Sequence, residues 1–301
     1  MKKLARILVC TGSTLLSFLL FPQLAQALTE NKPVSHKAIM IIAHGAPSPQ
    51  WGKDVRALET QVQEKLNQLK LKESYTVKVA LMEFNKPHIA EVITQFEKEG
   101  VTEVLAVPLF IAPSGHSVED IPAILGLTYN ATKRAELKEE GIDLVSTNIK
   151  IQLAPTLNYG EVIPLLILDR VKEISNRQKK EKLLLIAHGS KVYRPQWDRL
   201  MERVGKYVTQ NTTIEGFDYA YVAMGQEMKK NALPLITKGE KDSEQVLVQG
   251  VYLSIGANRI MQMGGCAKVL EKNKLMVGQQ GLLPDDRISD WIVDRIKEWK
   301  E

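Results

Sequence analysis

Three side chains that can bind a metal ion or move a proton are predicted at the ends of three different strands. His44 and Glu83 each follow directly after a short apolar run, and His116 follows a third run in the segment Pro113-Ser114-Gly115-His116. Imidazole and carboxylate groups suit borderline divalent metals such as Co²⁺, Fe²⁺, Ni²⁺ or Zn²⁺. Imidazole also titrates near neutral pH, so the same residues can accept and donate protons.

Short apolar runs alternate with longer amphipathic segments along the chain, and this alternation predicts parallel strands connected by helices. The run 38–43 has the composition of a strand that is buried on both faces. Strands are predicted at 38–43, 77–82, 103–111 and 149–153, and again at 183–187, 217–223, 245–253 and 275–278. Helices are predicted over 48–70 and 117–138, the second with a break near Pro122 or Gly126. In an open parallel sheet, ligands bind at the carboxyl ends of the strands. We therefore expect His44, Glu83 and His116 to lie at one edge of one sheet.

The first strand and its histidine recur in the second half of the chain. Ile41-Ile42-Ala43-His44-Gly45 matches Leu185-Ile186-Ala187-His188-Gly189, and a Pro-Gln-Trp triplet follows each copy. The repeat is as long as a domain, which predicts a duplication and not a solenoid. The predicted fold is therefore α/β, with two similar doubly wound lobes at 37–175 and 182–301. Each lobe has a four-stranded, mainly parallel sheet flanked by helices.

The two lobes are not predicted to be equivalent. When the halves are overlaid, Ala223 falls at the position of Glu83 and Asn258 at that of His116. The second lobe therefore keeps one of the three groups, and we expect one working site in the first lobe and a degenerate copy in the second. His188 either contacts the ligand from the second lobe or is structural.

Residues 1–27 have the pattern of a secretory signal peptide: a basic start, an apolar stretch that ends near Phe21, and Ala25-Gln26-Ala27 as the cleavage signal. The alternative is an uncleaved anchor, but the apolar stretch is shorter than the roughly 20 residues that a spanning helix needs. We expect a periplasmic or secreted protein with no membrane span after cleavage. Of the two cysteines, Cys10 leaves with this segment, so Cys266 alone remains and no intrachain disulfide is expected.

Composition is that of an ordinary globular protein, with 44% hydrophobic and 25% charged residues among 301. Three of the 40 basic residues lie within 1–27, which leaves 37 basic against 35 acidic residues. No basic stripe remains, so we expect no nucleic-acid partner.

The motifs together resemble a known family. A strand that ends in His-Gly, a Glu before Phe-Asn-x-Pro, and above all the segment Val107–Pro122 are similar to the CbiX/SirB class of sirohydrochlorin cobaltochelatases and ferrochelatases. The resemblance covers about 37–300, in the tandem long form of that family. It implies two α/β lobes with a tetrapyrrole in the cleft between them. It also implies ATP-independent insertion of Co²⁺ or Fe²⁺ without an organic cofactor, and it places the metal ligands at His44, Glu83 and His116. The signal peptide and the degenerate second half depart from the family pattern.

The residues suit this chemistry, because metal insertion removes two pyrrole protons and strips water from the ion. A neutral imidazole can hold the metal and accept a proton, while Glu83 can balance charge or relay the second proton. Activity is then expected to fall below about pH 6 for an unperturbed histidine. Basic residues that either meet the tetrapyrrole carboxylates or are solvated surface charges are Lys53, Arg56, Lys133, Arg134, Arg194 and Arg259.

Two other function classes compete with a chelatase. A non-catalytic periplasmic protein that binds a metal, haem or another tetrapyrrole would use the same residues. The signal peptide favours this alternative, and the complete set of His44, Glu83 and His116 favours catalysis. A histidine phosphatase or serine hydrolase is disfavoured, because no Arg precedes His44-Gly45 and no Gly-x-Ser-x-Gly turn occurs. His88, which starts a helix after Pro87, is expected to be an exposed surface residue.

Overall fold

The computed structural model describes residues 36–69, 75–177, 180–241, 245–272 and 275–300. The first half contains β1 (Lys37–Ala43), α1 (Pro49–Gln68), β2 (Tyr75–Leu81), α2 (Ile89–Lys98), β3 (Glu103–Pro108), α3 (Ile121–Ile124), α4 (Ala131–Glu139), β4 (Lys150–Leu153) and α5 (Val162–Ile174). The second half contains β5 (Glu181–Ala187), α6 (Arg194–Gln210), β6 (Gly216–Tyr221), α7 (Leu233–Lys241), β7 (Gln245–Val251), α8 (Ala257–Met263), α9 (Ala267–Lys272), β8 (Met276–Val277) and α10 (Asp286–Lys300). The proposed signal peptide lies outside the described residues, and none of the helices within them is long and apolar enough to cross a membrane.

The strands form two four-stranded sheets with the same order. The first sheet runs β2-β1-β3-β4 and the second β6-β5-β7-β8, and every pair of neighbouring strands is parallel. In the first sheet Ala43 is in register with Leu81, and Ile42 with Pro108, so β1, β2 and β3 end at the same edge. The predicted fold class, two parallel four-stranded sheets flanked by helices, is confirmed.

Each face of β1 packs into a different core. Ile39 and Ile41 point to a large core that also contains residues of the second sheet and of α6, whereas Met40 and Ile42 pack into a smaller core of the first lobe alone. The second lobe has a matching small core of its own around Ile186. Alternation along a fully apolar strand produces this division, because successive side chains point to opposite faces of the sheet. The two lobes therefore share one continuous hydrophobic core.

The helices that complete this shared core are exchanged between the halves of the sequence. α5 belongs to the first half but packs against α6 and β7 of the second, and α10 at the end of the chain packs against α1 and β3. The indole Nε1–H of Trp291 in α10 donates to the carbonyl of Tyr159, which precedes α5, at 2.7 Å. Lys65 of α1 also pairs with Asp290 of α10. The amphipathic pattern of a helix does not say which sheet it covers, so the sequence does not predict this exchange.

Two predicted elements near His116 differ from those observed. β3 ends at Pro108 and not at residue 111, because the Phe110 N–H donates to the Pro108 carbonyl at 2.9 Å and turns the chain. The helix predicted over 117–138 is three pieces: a π-helical turn at His116–Asp120, then α3, then α4. The break falls near Gly126, as predicted, where φ is +73°. The π-helical turn begins at His116 itself, which places this histidine inside the helical segment.

Candidate metal and proton-transfer site

The backbone beyond β1 and β2 brings His44 next to Glu83. Two hydrogen bonds extend the ladder past the strands: Met82 N–H donates to Ala43 O at 3.0 Å, and Glu83 N–H donates to His44 O at 2.9 Å. Gly45 follows with φ at +101°, and a Cβ at this position would lie 2.0 Å from the Glu83 carbonyl oxygen. Glycine is therefore required here both for its left-handed backbone and for the close passage of the two chains.

The tautomer of His44 follows from its backbone contact. Nδ1 lies 3.0 Å from the carbonyl oxygen of Gly45, and a carbonyl can only accept, so Nδ1 carries the proton. Nε2 then keeps its lone pair and lies 4.0 Å from Oε1 of Glu83. The two side chains are 35% and 34% exposed, so a bound substrate can reach both.

His116 is fixed by a carboxylate one turn further along. Its Nδ1 lies 2.8 Å from Oδ2 of Asp120, which is only 13% exposed, and Lys133 Nζ lies 3.3 Å from the other oxygen. The hydrogen bond from His116, together with Lys133, holds the pKa of Asp120 below its usual value. The Asp120 carboxylate in turn raises the pKa of His116, against the opposing effect of burial. An ionised Asp120 accepts from Nδ1–H, so Nε2 of His116 is the nitrogen with the available lone pair.

The structure brings the three predicted residues together. The rings of His44 and His116 lie 4.6 Å apart between centroids in an edge-to-face arrangement, and Glu83 is the near neighbour of His44. Within the described residues, no group of three His, Cys, Asp or Glu side chains is already arranged so that it could hold a metal ion. The proximity of His44, Glu83 and His116 is thus observed, and their role as ligands stays a prediction.

Two aromatic rings flank the imidazoles. Phe84 lies 6.1 Å from His44 between ring centroids, and Phe110 lies 6.3 Å from His116. Phe84 is 59% exposed, which is high for a phenyl ring, and its φ is +63°. A bulky residue in the left-handed region costs on the order of 1–3 kcal/mol, and such strain is concentrated at functional sites. An exposed apolar ring at this place offers a surface to a flat, partly apolar ligand.

A cavity of about 520 Å³ lies beside Glu83 and His116. Most of its polar lining is titratable, with two imidazoles, four carboxylates and one ammonium group. It is lined by Met82, Glu83, Phe84, His88, His116, Asp120, Lys133, Glu136, Leu137, Glu140, Gly141 and Ile142. The expectation that His88 is exposed is wrong, because this residue is partly buried in the cavity wall. The carboxylates give the cavity an excess of negative charge, which favours the approach of a cation.

The corresponding edge of the second sheet has the same backbone but lacks the carboxylate. His188 Nδ1 lies 2.9 Å from the carbonyl oxygen of Gly189, as in the first lobe, and Ala223 N–H donates to His188 O at 3.3 Å. Ala223 therefore occupies the position of Glu83, as the overlay predicts. The hydroxyl of Tyr252 donates to the Ala223 carbonyl at 2.6 Å and ties down this edge. Asn258 lies in α8 and contacts Gln279.

The six basic candidates have different surroundings. Lys133 lines the cavity, paired with Asp120 and with Glu136 at 3.0 Å. Arg194 pairs with Asp198 at 2.8 Å and lies over the ring of Tyr221. The others are Arg134, which donates to Ala123 O, Arg56, which donates to Lys86 O, Arg259, which donates to Gln262, and Lys53, which is exposed on α1. Of the six, Lys133 is thus the one that lines the cavity beside the imidazoles.

Asp120 is the site residue that the sequence analysis missed. The spacing of His116 and Asp120 is i,i+4, which places two side chains on the same face of a helix. The sequence prediction began that helix at Ser117, so His116 was left outside it. A helix start placed one residue earlier would have predicted the pair.

Two parallel four-stranded sheets with a shared core, the first with His44, Glu83 and His116 at one edge, define a two-lobed α/β protein with a chelatase-like fold. Its fold matches SirB from Bacillus subtilis with Fe³⁺, at a TM-score of 0.65 and 15% identity over 87% of this chain and 95% of that one. The cobalt complex of the sirohydrochlorin chelatase SirB from Bacillus subtilis subspecies spizizenii matches at a TM-score of 0.61 and 14% identity, over 87% and 94% of the two chains. At these identities the likeness establishes the fold.

The sequence comparisons identify the first half more closely. Residues 38–174 match the CbiX family model. Sirohydrochlorin cobaltochelatase of Saccharolobus solfataricus is 28% identical over 139 residues, which is 46% of this chain and 96% of that protein. The enzyme of the same name from Methanococcoides burtonii is 29% identical over 136 residues, or 45% and 95% of the two chains. The N-terminal half of this chain is thus similar to the CbiX family and to sirohydrochlorin cobaltochelatases, and the predicted resemblance is confirmed.

Proposed function

We propose that the protein is a metal chelatase that inserts a divalent metal ion into a tetrapyrrole of the sirohydrochlorin type. The observation that carries the proposal is the meeting of two imidazoles and a carboxylate at one sheet edge, at 4.6 Å between rings and 4.0 Å between His44 and Glu83. The relatives of the N-terminal half that bear the name sirohydrochlorin cobaltochelatase support the substrate class.

The reaction exchanges one M²⁺ ion for the two inner N–H protons of the macrocycle, so two protons leave for each metal bound. The ion must first shed water, and donor atoms of the protein replace that water. Nε2 of His116 is the first ligand we assign, because its Nδ1–H is bound by Asp120 and the ring is thereby oriented. Nε2 of His44 is the second, and small side-chain rotations of His44 and Glu83 complete the set.

The pyrrole protons pass to the pair formed by His44 and Glu83. Nε2 of His44 has a single lone pair, so it can accept a proton only after the metal has left it for the macrocycle, and the Glu83 carboxylate 4.0 Å away is the other acceptor. Glu83 also faces the cavity that connects the site with solvent, which gives the proton a way out. Phe84 and Phe110 flank the imidazoles and are placed to contact the macrocycle.

The metal we propose is Co²⁺ or Fe²⁺, because the sequence relatives are named cobaltochelatases and the solved relatives contain cobalt in one case and iron, as Fe³⁺, in the other. Ni²⁺ suits the same donors. We also propose that the chain works in the periplasm or outside the cell, on the basis of the signal-peptide pattern at 1–27. His188 is structural in this proposal, because Ala223 provides no carboxylate beside it.

The test is metal insertion followed by visible absorption. Purified protein is mixed with sirohydrochlorin and each of Co²⁺, Fe²⁺ and Ni²⁺, and the rate is compared with the spontaneous reaction. We expect a protein-dependent rate that His116→Ala, His44→Ala and Glu83→Gln each reduce at least tenfold, the scale on which outer contacts already alter metal sites. His188→Ala is the matched control, since it removes the repeated histidine from the other lobe.

Two results would change the proposal. No rate above background with any of the three metals, together with tight Co²⁺ binding, would favour a non-catalytic metal- or tetrapyrrole-binding protein. Parental rates in the His116→Ala variant would refute the assignment of the site.

A further inference from the structure

His116 lies in a short segment, 113–120, that is held internally by its own serines. Ser114 N–H donates to Oγ of Ser117 at 2.9 Å, and Val118 N–H donates to Ser114 O at 3.0 Å. Ser117 is buried, at 4% exposure. These contacts shape the turn around His116, but they are all local and do not fix the turn relative to the rest of the molecule.

The second lobe holds this segment at both ends. The indole Nε1–H of Trp197 donates to the carbonyl of Pro113 at 3.0 Å, and the hydroxyl of Tyr193 donates to Oε1 of Glu119 at 3.0 Å. Pro113 and Glu119 stand three residues before and three residues after His116. Both donors come from the start of α6, the helix that follows β5 and His188.

Trp197 is the more firmly placed of the two donors. Trp197 is 4% exposed and packs edge-to-face on Tyr221, with 6.1 Å between ring centroids. Tyr221 in turn donates its hydroxyl to Asp198 of α6 at 2.8 Å. A buried, hydrogen-bonded indole on a 17-residue helix is a rigid support, and rigid support of a binding residue is what a precise site needs.

We propose that Tyr193 and Trp197 are positioning residues for His116, so that the second lobe supports the metal site of the first without contributing a ligand. This inference rests on the proposed function, because it assigns the supported histidine a role in metal binding. The second lobe has Ala223 in place of Glu83 and so lacks the carboxylate at its own sheet edge. Support of His116 is the role that we assign to this lobe instead.

The expected size of the effect follows from the population of the held segment. If loss of one hydrogen bond lowers the fraction of molecules with His116 in place, the apparent Kd rises by the inverse of that fraction. The net free energy of one hydrogen bond corresponds to a factor of about 2 to 10 in an equilibrium constant. Tyr193→Phe and Trp197→Phe are therefore each expected to weaken Co²⁺ binding about twofold to tenfold, and the double variant more than either.

The chain offers matched controls for both substitutions. Tyr252→Phe removes a hydroxyl that donates to the Ala223 carbonyl at 2.6 Å, and Trp291→Phe removes an indole that donates to the Tyr159 carbonyl at 2.7 Å. Both residues are as buried as Trp197, at 5% exposure each. They delete the same chemical groups at places away from the segment 113–120, so a general loss of stability affects them equally.

Two readouts are measured on the parental protein and on all five variants. The first is amide hydrogen exchange of peptides that cover 113–120, without metal. The second is the Kd for Co²⁺, from the absorption of the bound ion. We expect faster exchange of this segment and weaker Co²⁺ binding in Tyr193→Phe and Trp197→Phe, and parental values for both in the two controls.

The outcomes separate this inference from the proposed function. Unchanged exchange at 113–120, or faster exchange with parental Co²⁺ affinity, would overturn the positioning role while the metal site stands. Equal weakening in the controls would likewise overturn it. A parental protein that binds no Co²⁺ would refute the proposed function, and the exchange measurement would still decide whether the second lobe holds the segment.

Discussion

Replacing Gly45 by alanine should disturb the site through the backbone alone. The new Cβ would lie 2.0 Å from the Glu83 carbonyl oxygen and 2.8 Å from the carbonyl carbon, with no flexible side-chain atom to give way. The chain after β1 must then move away from Glu83, or Glu83 must move away from His44. The substitution changes no ionisable group, so any effect on metal binding reports on this geometry.

Two effects contribute to the expected loss of stability in Gly45→Ala. Alanine in a left-handed conformation costs about 1–2 kcal/mol, and overpacking of this kind costs roughly a further 1–3 kcal/mol. Gly100→Ala is the matched control, because Gly100 is also left-handed, at φ +72°, and nothing lies within 4 Å of the new Cβ. The control carries the first cost without the second. The free energy of unfolding should therefore fall by about 2–5 kcal/mol in Gly45→Ala and by about 1–2 kcal/mol in Gly100→Ala.

Urea unfolding and Co²⁺ titration measure the two consequences. We expect Gly45→Ala to be less stable than Gly100→Ala and to bind Co²⁺ more weakly, while Gly100→Ala keeps the parental affinity. Equal losses of stability in the two variants would refute the close passage of Gly45 and Glu83. A greater loss of stability in Gly45→Ala with unchanged Co²⁺ affinity would instead show that Glu83 is not part of the metal site.

Three further predictions concern the histidines. Asp120→Asn should weaken Co²⁺ binding about 10- to 100-fold, whereas Glu139→Gln, at an exposed carboxylate of α4, should leave it unchanged in the same titration. Because Asp120 raises the pKa of His116, the metal competes with a proton up to a higher pH than for a free imidazole. As the pH is lowered, Co²⁺ affinity should therefore begin to fall at a pH above 6.5, by up to tenfold per pH unit. The Asp120→Asn substitution should shift the pH at which this fall begins to a lower value. An onset at pH 6 in both proteins would contradict the role of Asp120. Finally, His188→Ala should keep the parental insertion rate within about twofold, and a loss as large as that of His44→Ala would show that the second lobe supplies a ligand.

The edge that carries the site was predictable because parallel strands impose a strong geometric constraint. Fully apolar runs predict buried strands, and strand ends in a parallel sheet must meet at one edge, so the sequence alone predicts that His44 and Glu83 lie together. His116 could be placed at the same edge for the same reason. The pH expectation assumed an imidazole without a carboxylate partner, whereas Asp120 raises the pKa of His116.

Local turns and the partners of helices were not predictable in the same way. Leu109–Ile111 is as apolar as the strand before it, but the hydrogen bond from Phe110 back to Pro108 turns the chain where β3 ends. The link from Trp197 to Pro113 joins residues 84 positions apart, and no local pattern encodes it. Trp197 packs into the core that the lobes share, and its indole N–H also reaches the first lobe.

The exchange of α5 and α10 has a consequence for how the chain can be divided. Since α10 covers α1 and β3 of the first half while α5 covers β7 of the second, a fragment that stops at Ser175 would lack the helix that closes one face of its own sheet. Cutting the peptide bond within the connection 175–180 would therefore produce two polypeptides that remain associated, each completing the other as a reciprocal pair. The molecule is in this sense an intramolecular heterodimer. The residues at the carboxyl edges of its two sheets can differ between the halves, while the residues at the interface must remain complementary.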